Sequence, residues 1–239
     1  MRKPGMDKLI AKSEDSRGAG PAVLDAWLPP KTGRRVLLVE GEKDSTSAAA
    51  SDLLQQLARQ NTVTLGENDD LLSALPFDSD QFDLVVCAFV SSSSKVGSET
   101  LQEIGRILKP DGELLIMDYL VPGSRLHGKK ADRLRDAGEY INSWMRLRNP
   151  RHRCFLDQDS WERLLRNGQW DIKKMATQDV TMEFGAWASF YAPDDLNRLR
   201  LRAMLIQAPE KAHAFLTPLM SGDRIAFRMS EIFILATKE

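Results

Sequence analysis

The stretch Phe82-Asp83-Leu84-Val85-Val86-Cys87-Ala88-Phe89 decides the architecture. Its apolar run shows no in-and-out alternation, so the strand it forms is covered on both faces, as in a parallel sheet flanked by helices. Working outward, Thr100 to Leu108 carries Leu101, Ile104 and Leu108 at helical spacing. Pro110-Asp111-Gly112 then reads as a turn, and Leu114-Leu115-Ile116-Met117 as another buried strand. Upstream, Arg35-Val36-Leu37-Leu38-Val39-Glu40 is a third such run. An amphipathic helix, Ser47 to Gln60, and a short β-rich piece, Thr62 to Leu65, follow it. Strands alternating with helices imply an α/β domain with a parallel sheet covered on both faces.

Beyond residue 123 the character changes. Lys129 to Leu147 is a charged helix with Leu134, Tyr140, Ile141, Trp144 and Leu147 as packing residues. Asp157 is placed to cap a helix running to Asn167, with Gly168 as its stop. Trp170 to Met175 reads as a strand and Phe184 to Tyr191 as a helix. Pro193 fits the first turn of a helix over Asp194 to Ile206, and Ile225 to Thr237 reads as one or two strands. At the other end, residues 1–33 form an arm, polar at first, with a short helix at Ala22 to Leu28 closed by Pro29-Pro30. The domain proper is expected over 34–239.

The chain has 239 residues, of which 42% are apolar, enough for one domain with a sizeable core. Its 33 basic and 34 acidic residues leave a formal net charge of −1, which argues against a general nucleic-acid binder. No apolar run is long enough for a membrane span, and the polar Met1 to Arg17 lacks the core of a signal peptide. The two cysteines and three scattered histidines suggest neither a disulfide framework nor a metal site. A cytoplasmic setting is the expectation.

Two longer motifs carry a resemblance. Leu75-Pro76-Phe77-Asp78-Ser79-Asp80-Gln81-Phe82-Asp83-Leu84-Val85-Val86 resembles the segment around the fourth strand of class I S-adenosylmethionine (SAM)-dependent methyltransferases. The subgroup acting on quinones and other small molecules is the most similar in style. Ile104-Gly105-Arg106-Ile107-Leu108-Lys109-Pro110-Asp111-Gly112-Glu113-Leu114-Leu115-Ile116 resembles the helix, turn and fifth strand that follow there. Arg148 to Arg153, Ser160 to Leu165, Trp170-Asp171-Ile172, Phe184 to Trp187 and the closing Glu231 to Thr237 are similar to the subgroup's tail. The resemblance covers roughly Arg34 to Lys238. It implies a Rossmann-like class I methyltransferase fold, a mostly parallel sheet with helices on both faces, with its ligand at the carboxyl ends of the strands. It also implies a helical lid from insertions at about 123–150 and 176–222.

The sequence departs from that family in two places. The glycine-rich cofactor loop is reduced to Val39-Glu40-Gly41-Glu42-Lys43-Asp44-Ser45-Thr46, with Gly41 alone remaining. From Glu40 to Leu75 there is room for one helix and one strand, so one strand–helix unit is expected to be missing or collapsed. A similar shortening occurs in methyltransferase-like domains that have lost the cofactor, such as the N-terminal domain of the anamorsin family, and Phe82 to Lys109 has a comparable look. That family also carries a cysteine-rich iron–sulfur region, for which this chain has no counterpart, so the chain is not placed in that family.

What the resemblance implies for the site follows from these positions. Glu40, Gly41, Glu67, Asp69, Leu75, Phe77 and Phe89 are the candidates for cofactor contact, with SAM as the cofactor. Glu67 stands in for the missing ribose-binding acid, with Asp69 and Asp70 as rivals; the alternative is a solvated acidic turn. Tyr119 and Trp144 are candidates for acceptor contact, or for packing. His152 is the candidate general base, or a polar anchor at a helix entry. Asp118 ends its strand either on the ligand or as a cap. Arg146, Arg148, Arg151 and Arg153 either attract an anion or form a solvated helix end. Val90-Ser91-Ser92-Ser93-Ser94-Lys95 reads as a flexible loop. Two functions compete: methyl transfer from SAM to a small-molecule acceptor, or a non-catalytic methyltransferase-like scaffold, with a protein partner, that has lost SAM binding.

Overall fold

The computed structural model describes residues 27–28, 33–40, 74–92, 96–191 and 194–239. The expected arm, all but the last two residues of the helix at Ala22 to Leu28, the helix Ser47–Gln60, the strand Thr62–Leu65 and Pro193 lie outside them. So does the stretch in which a strand–helix unit was expected to be missing.

Three strands lie side by side in parallel: β1 (Val36–Glu40), β2 (Phe82–Ala88) and β3 (Leu108–Leu120), with Leu37 opposite Val85 and Val85 opposite Leu114. Helix α1 (Ser98–Ile107) makes the crossover from β2 to β3. After β3 come α2 (Lys129–Arg148), α3 (Gln158–Asn167) and β4 (Trp170–Glu183). The lid helices α4 (Phe184–Ser189), α5 (Asp195–Ile206) and α6 (Glu210–Leu216) lead to a hairpin of β5 (Leu219–Ser221) and β6 (Arg224–Lys238). The sheet order is β1-β2-β3-β6-β4, with β5 beside the start of β6.

Among the described residues β1, β2, β3 and β4 all run in one direction, as in the mostly parallel sheet expected, with one reversed strand set among them. Strand β6 inserts antiparallel between β3 and β4. The reason is where the chain re-enters the sheet: β4 ends at Glu183, which pairs with Ala226 near the start of β6, so the lid leaves and returns at the same end and β6 runs back along β4. Ala176–Glu183, assigned to the lid from sequence, is thus paired strand.

Alternation along each strand divides the core into two layers. Leu38, Val86, Leu115, Met117 and Phe233 face α2, α4, α5 and α6 on one side. Leu37, Val85, Leu114, Ile116 and Ile234 face α1 and α3 on the other. Each such side chain gains about 1.5–3 kcal/mol from leaving water, which is why unbroken apolar runs mark these strands.

The turn at Pro110-Asp111-Gly112 is present, but inside β3 rather than before it. Leu108 pairs with Phe82 and Glu113 with Leu84, so the four residues between them bulge opposite Asp83 alone. A side chain at Gly112 would meet Leu108 at 2.8 Å and the Lys109 carbonyl at 2.9 Å. The cap at Asp157 forms as expected: its carboxylate accepts from the Ser160 N–H at 2.9 Å, and Gly168 ends α3. Helix α6, a short element with one pair of inward residues, Ala212 and Leu216, was not anticipated.

Candidate functional site

Strands β1, β2 and β3 end on one edge of the sheet, at Glu40, Ala88 and Leu120. Open α/β sheets bind ligands outside that edge. Phe89 leaves β2 in the left-handed region, φ 54°, uncommon for a bulky residue. Its N–H donates to the Met117 carbonyl at 2.7 Å. This backbone kink turns the chain into a single 3-10 turn, Val90–Ser92, across the end of β3.

That turn is anchored, not the loose loop expected. The Ser91 N–H donates to Oδ2 of Asp118 at 3.0 Å and the Ser91 hydroxyl to Oδ1 at 2.8 Å. The Tyr119 N–H donates to Oδ1 as well. Asp118 is fully buried. Burial pushes its carboxyl up to about 6, and the three donated hydrogen bonds restrain the rise. Short serine hydroxyls are suited to such local clasps. Ser93, Ser94 and Lys95 lie outside the described residues.

A strap from the α2–α3 connection lies against this turn. The Arg153 N–H donates to the Ser92 carbonyl at 2.8 Å and the Cys154 N–H to the Ser91 carbonyl at 3.3 Å. Leu156 bridges Leu120. Asn142, on α2, clasps the strap: its Oδ1 accepts from the Phe155 N–H at 2.7 Å and its Nδ2 donates to the Phe155 carbonyl at 3.0 Å. Those two bonds fix the orientation of the amide. His152 Nε2, 2.9 Å from the same Oδ1, must then be the donor, which leaves the Nδ1 lone pair as the ring's only basic position. Burial, with Arg146 and Arg148 nearby, pushes His152 down to about 4, so it is neutral at physiological pH.

Aromatic rings complete the wall. Phe89 and Tyr119 lie 5.0 Å apart between centroids, Tyr119 and Phe155 5.5 Å, and Phe155 and His152 4.5 Å. Phe89, Tyr119 and Phe155 are each at most 2% exposed.

The structure thus brings Phe89, Tyr119 and His152 together at the carboxyl edge, close to where β1 ends with Glu40. Leu75 and Phe77 are not brought there. Phe77 packs edge-on against Phe82, at the opposite end of β2, and the Leu75 N–H is held by Glu103 of α1. The reason is strand length: Phe77 precedes β2 and Phe89 follows it, so the whole strand separates them. Trp144 is enclosed, stacked on Trp187 at 4.4 Å with its indole N–H on the Leu201 carbonyl, which makes it a support under α5. Gly41, Glu67, Asp69 and Asp70 lie outside the described residues, and of Glu40 only the backbone is described.

Sequence reasoning missed three residues here. Asn142 is a polar position on the inward side of α2, a signal visible once that helix face is drawn. Ser91 and Phe155 carry no local signal. Arg148, expected in a solvated helix end or on an anion, is buried; its guanidinium lies 4.4 Å from the Trp187 ring centre and 5.0 Å from that of Tyr191. Arg151 and Arg153 are exposed.

The family described as anamorsin, N-terminal, matches residues 33–143, somewhat less than half of the chain. The uncharacterised methyltransferase YcgJ of Bacillus subtilis strain 168 is 23% identical over 167 residues, 69% of this chain. The match spans 62% of YcgJ's own length, less than two thirds of it. The crystal structure of YcgJ is similar at a TM-score of 0.71 and 17% identity, covering 92% of this chain and 98% of that one. Protein BH2331 of Bacillus halodurans C-125, a provisionally assigned methyltransferase, is similar at a TM-score of 0.73 and 18% identity, covering 92% and 99%. Geranyl diphosphate C-methyltransferase of Streptomyces coelicolor A3(2), in complex with magnesium, geranyl diphosphate and S-adenosyl-L-homocysteine, reaches 0.53 at 15% identity, covering 99% and 86%.

Proposed function

We propose, from the premise that this chain carries the class I methyltransferase fold, that it transfers a methyl group from SAM to a small-molecule acceptor. The observation that carries the reading is the carboxyl edge itself. Three parallel strands end together there, Phe89 is held in a strained turn, and a buried carboxylate fixes the loop that follows. The neighbour that holds S-adenosylhomocysteine shares this fold, which supports a cofactor at the same edge.

In this reading Glu40, Gly41, Glu67, Asp69 and Phe89 contact the cofactor, and Tyr119 borders the acceptor. An aromatic face also suits a cationic sulfonium. SAM supplies an activated methyl group, so the protein's task is to align the acceptor and exclude water. His152 is too weak a base, at about 4, to take much of that work. Its bond to Asn142 supports a positioning role for the strap instead. No described helix is long and apolar enough to cross a membrane, and a cytoplasmic setting belongs to the proposal.

The second reading, a scaffold without SAM binding, is favoured by the anamorsin match over the half that would bind the cofactor. The nearly complete enclosure of Phe89, Tyr119 and Phe155 points the same way. Calorimetric titration with SAM and with S-adenosylhomocysteine separates the two. Methyl transfer requires saturable binding and a matching thermal stabilisation, about 2.7 kcal/mol when ligand is in roughly hundredfold excess over Kd. No heat and no stabilisation would leave the scaffold reading in its place.

A further inference from the structure

Where α2 ends and the strap begins, four arginines fall within eight residues: Arg146, Arg148, Arg151 and Arg153. The acids nearest to them in sequence are Glu139, about two turns back on α2, and Asp157. Asp157 is engaged elsewhere: its two oxygens accept from the N–H and the hydroxyl of Ser160, each at 2.9 Å. Neither Arg146 nor Arg151 forms an ion pair among the described residues. The negative end of the α2 dipole offsets part of this charge. It is worth about half a unit, however, and acts over the last turn, which holds Arg146 and Arg148 but neither Arg151 nor Arg153.

The cluster is arranged, not loose. The Arg146 guanidinium donates to the Arg153 carbonyl at 3.2 Å and to the Ser143 hydroxyl at 3.1 Å. Those bonds hold it against the strap and leave the rest of its N–H donors for a ligand. Arg148 is buried, its Nε–H on the Trp187 carbonyl at 2.9 Å, and supplies a fixed charge. Arg151 and Arg153 are exposed on the strap itself. The field of these groups is felt inside the protein: after burial, Arg146 and Arg148 are what push His152 down, and Arg146 acts on the Cys154 thiol as well. The strap is bonded to the turn Val90–Ser92 through the Arg153 and Cys154 N–H groups, so the cations rim the carboxyl edge.

We infer that this rim is an anion subsite, at which Arg146 and Arg151 bind a phosphate or diphosphate group of a small-molecule acceptor. A single carboxylate answers one cation and would leave the others facing one another. A phosphate monoester carries about two negative charges, and its oxygens match the guanidinium fork. Arg148 contributes through its field, since it is enclosed. The inference rests on the methyl-transfer reading only for the ligand's role as acceptor; anion binding itself is measured without SAM.

Calorimetric titration of inorganic pyrophosphate into the full chain, at low ionic strength and without SAM, is the test. Saturable binding is expected, weakened about tenfold or more in Arg146→Gln and in Arg151→Gln. Arg151→Lys keeps the charge but not the fork, and should recover only part of the loss. Arg166→Gln, at an exposed arginine on α3, should leave binding unchanged. An unaltered circular dichroism spectrum separates loss of contact from loss of fold, and Arg151, which lies past the end of α2, remains a test should Arg146→Gln disturb that helix. No saturable binding overturns the proposal, as does binding indifferent to both glutamine substitutions. Acetate bound as tightly as pyrophosphate overturns the phosphoryl class. Single-stranded RNA or phosphatidic acid vesicles bound where pyrophosphate is not, and released by Arg151→Gln, would name a macromolecular or membrane phosphate and equally overturn it. Pyrophosphate binding in a chain that takes up no SAM would sink the methyl-transfer reading alone, and SAM binding without pyrophosphate binding would sink this proposal alone.

Discussion

The parallel half of the sheet, β1 to β3 with α1, and the lid helices α4 to α6 both carry apolar residues at regular spacing, but they use them differently. Among the described residues of the parallel half, the apolar faces of the strands are covered from within the chain. Val85, Leu114 and Leu115 are wholly enclosed, and α1 turns Leu101, Ile104 and Ile107 inward. In the lid, α5 divides its leucines between the core and water. Apolar spacing therefore reports that a face wants cover; it does not say whether the same chain provides it.

The largest effect that sharpens this comparison comes from truncating one side chain in each region. Ile116→Ala should cost about 2–5 kcal/mol in urea unfolding, because it leaves a cavity between β3 and α1 that packed neighbours cannot fill. Leu199→Ala should stay within about 0.5 kcal/mol of the parent. Similar losses at both sites would mean that Leu199 is covered within the chain, and the contrast would fail.

A smaller effect lies at the seam between the regions, where Asp118 and His152 titrate in opposite senses. The Asp118 carboxyl rises from 3.8 to about 6, so between those values the native state holds the extra proton and stability falls as pH rises. His152 drops from 6.5 to about 4, so its contribution is complete above 6.5 and is lost as pH falls towards 4. From about pH 4 to 6 the two slopes oppose. Asp118→Asn should expose the histidine slope, a rise of about 1.4 kcal/mol per pH unit, and His152→Gln the reverse fall. The parent should be flatter than either variant in urea titrations across that range. Parallel profiles in all three proteins would refute the assignment.

The smallest effect concerns helix starts. Asp157 caps α3 through its side chain, whereas α1 starts at Gly97 without a side-chain cap. Asp157→Ala should cost about 1 kcal/mol, and Gly97→Ser should gain a few tenths of a kcal/mol, read from thermal midpoints. A loss at Gly97→Ser would indicate that its backbone geometry, not the missing cap, limits α1.

What was legible in the sequence is local. Continuous apolar runs located β1, β2 and β3, since a strand covered on both faces has no polar alternation to lose. Asp157 and Gly168 marked the ends of α3 because capping is satisfied within a few residues. Phe89 at the edge and His152 near it followed from motif order. Tertiary structure alone decided the rest, because it depends on partners distant in the chain. Ser91 meets Asp118 across 27 positions, and that bond turns an apparent flexible loop into a fixed one. Asn142 reaches the Phe155 backbone from another element and sets the tautomer of His152. Phe77 and Phe89 stand close in sequence, but a whole strand separates them. Strand β6 has an apolar run like those of β1 to β3, yet its place between β3 and β4 is set by long-range pairing, and its direction by the chain re-entering the sheet at the end where β4 stops. Hydrophobic periodicity encodes how much of an element is hidden; which surface hides it is settled only when the layers pack.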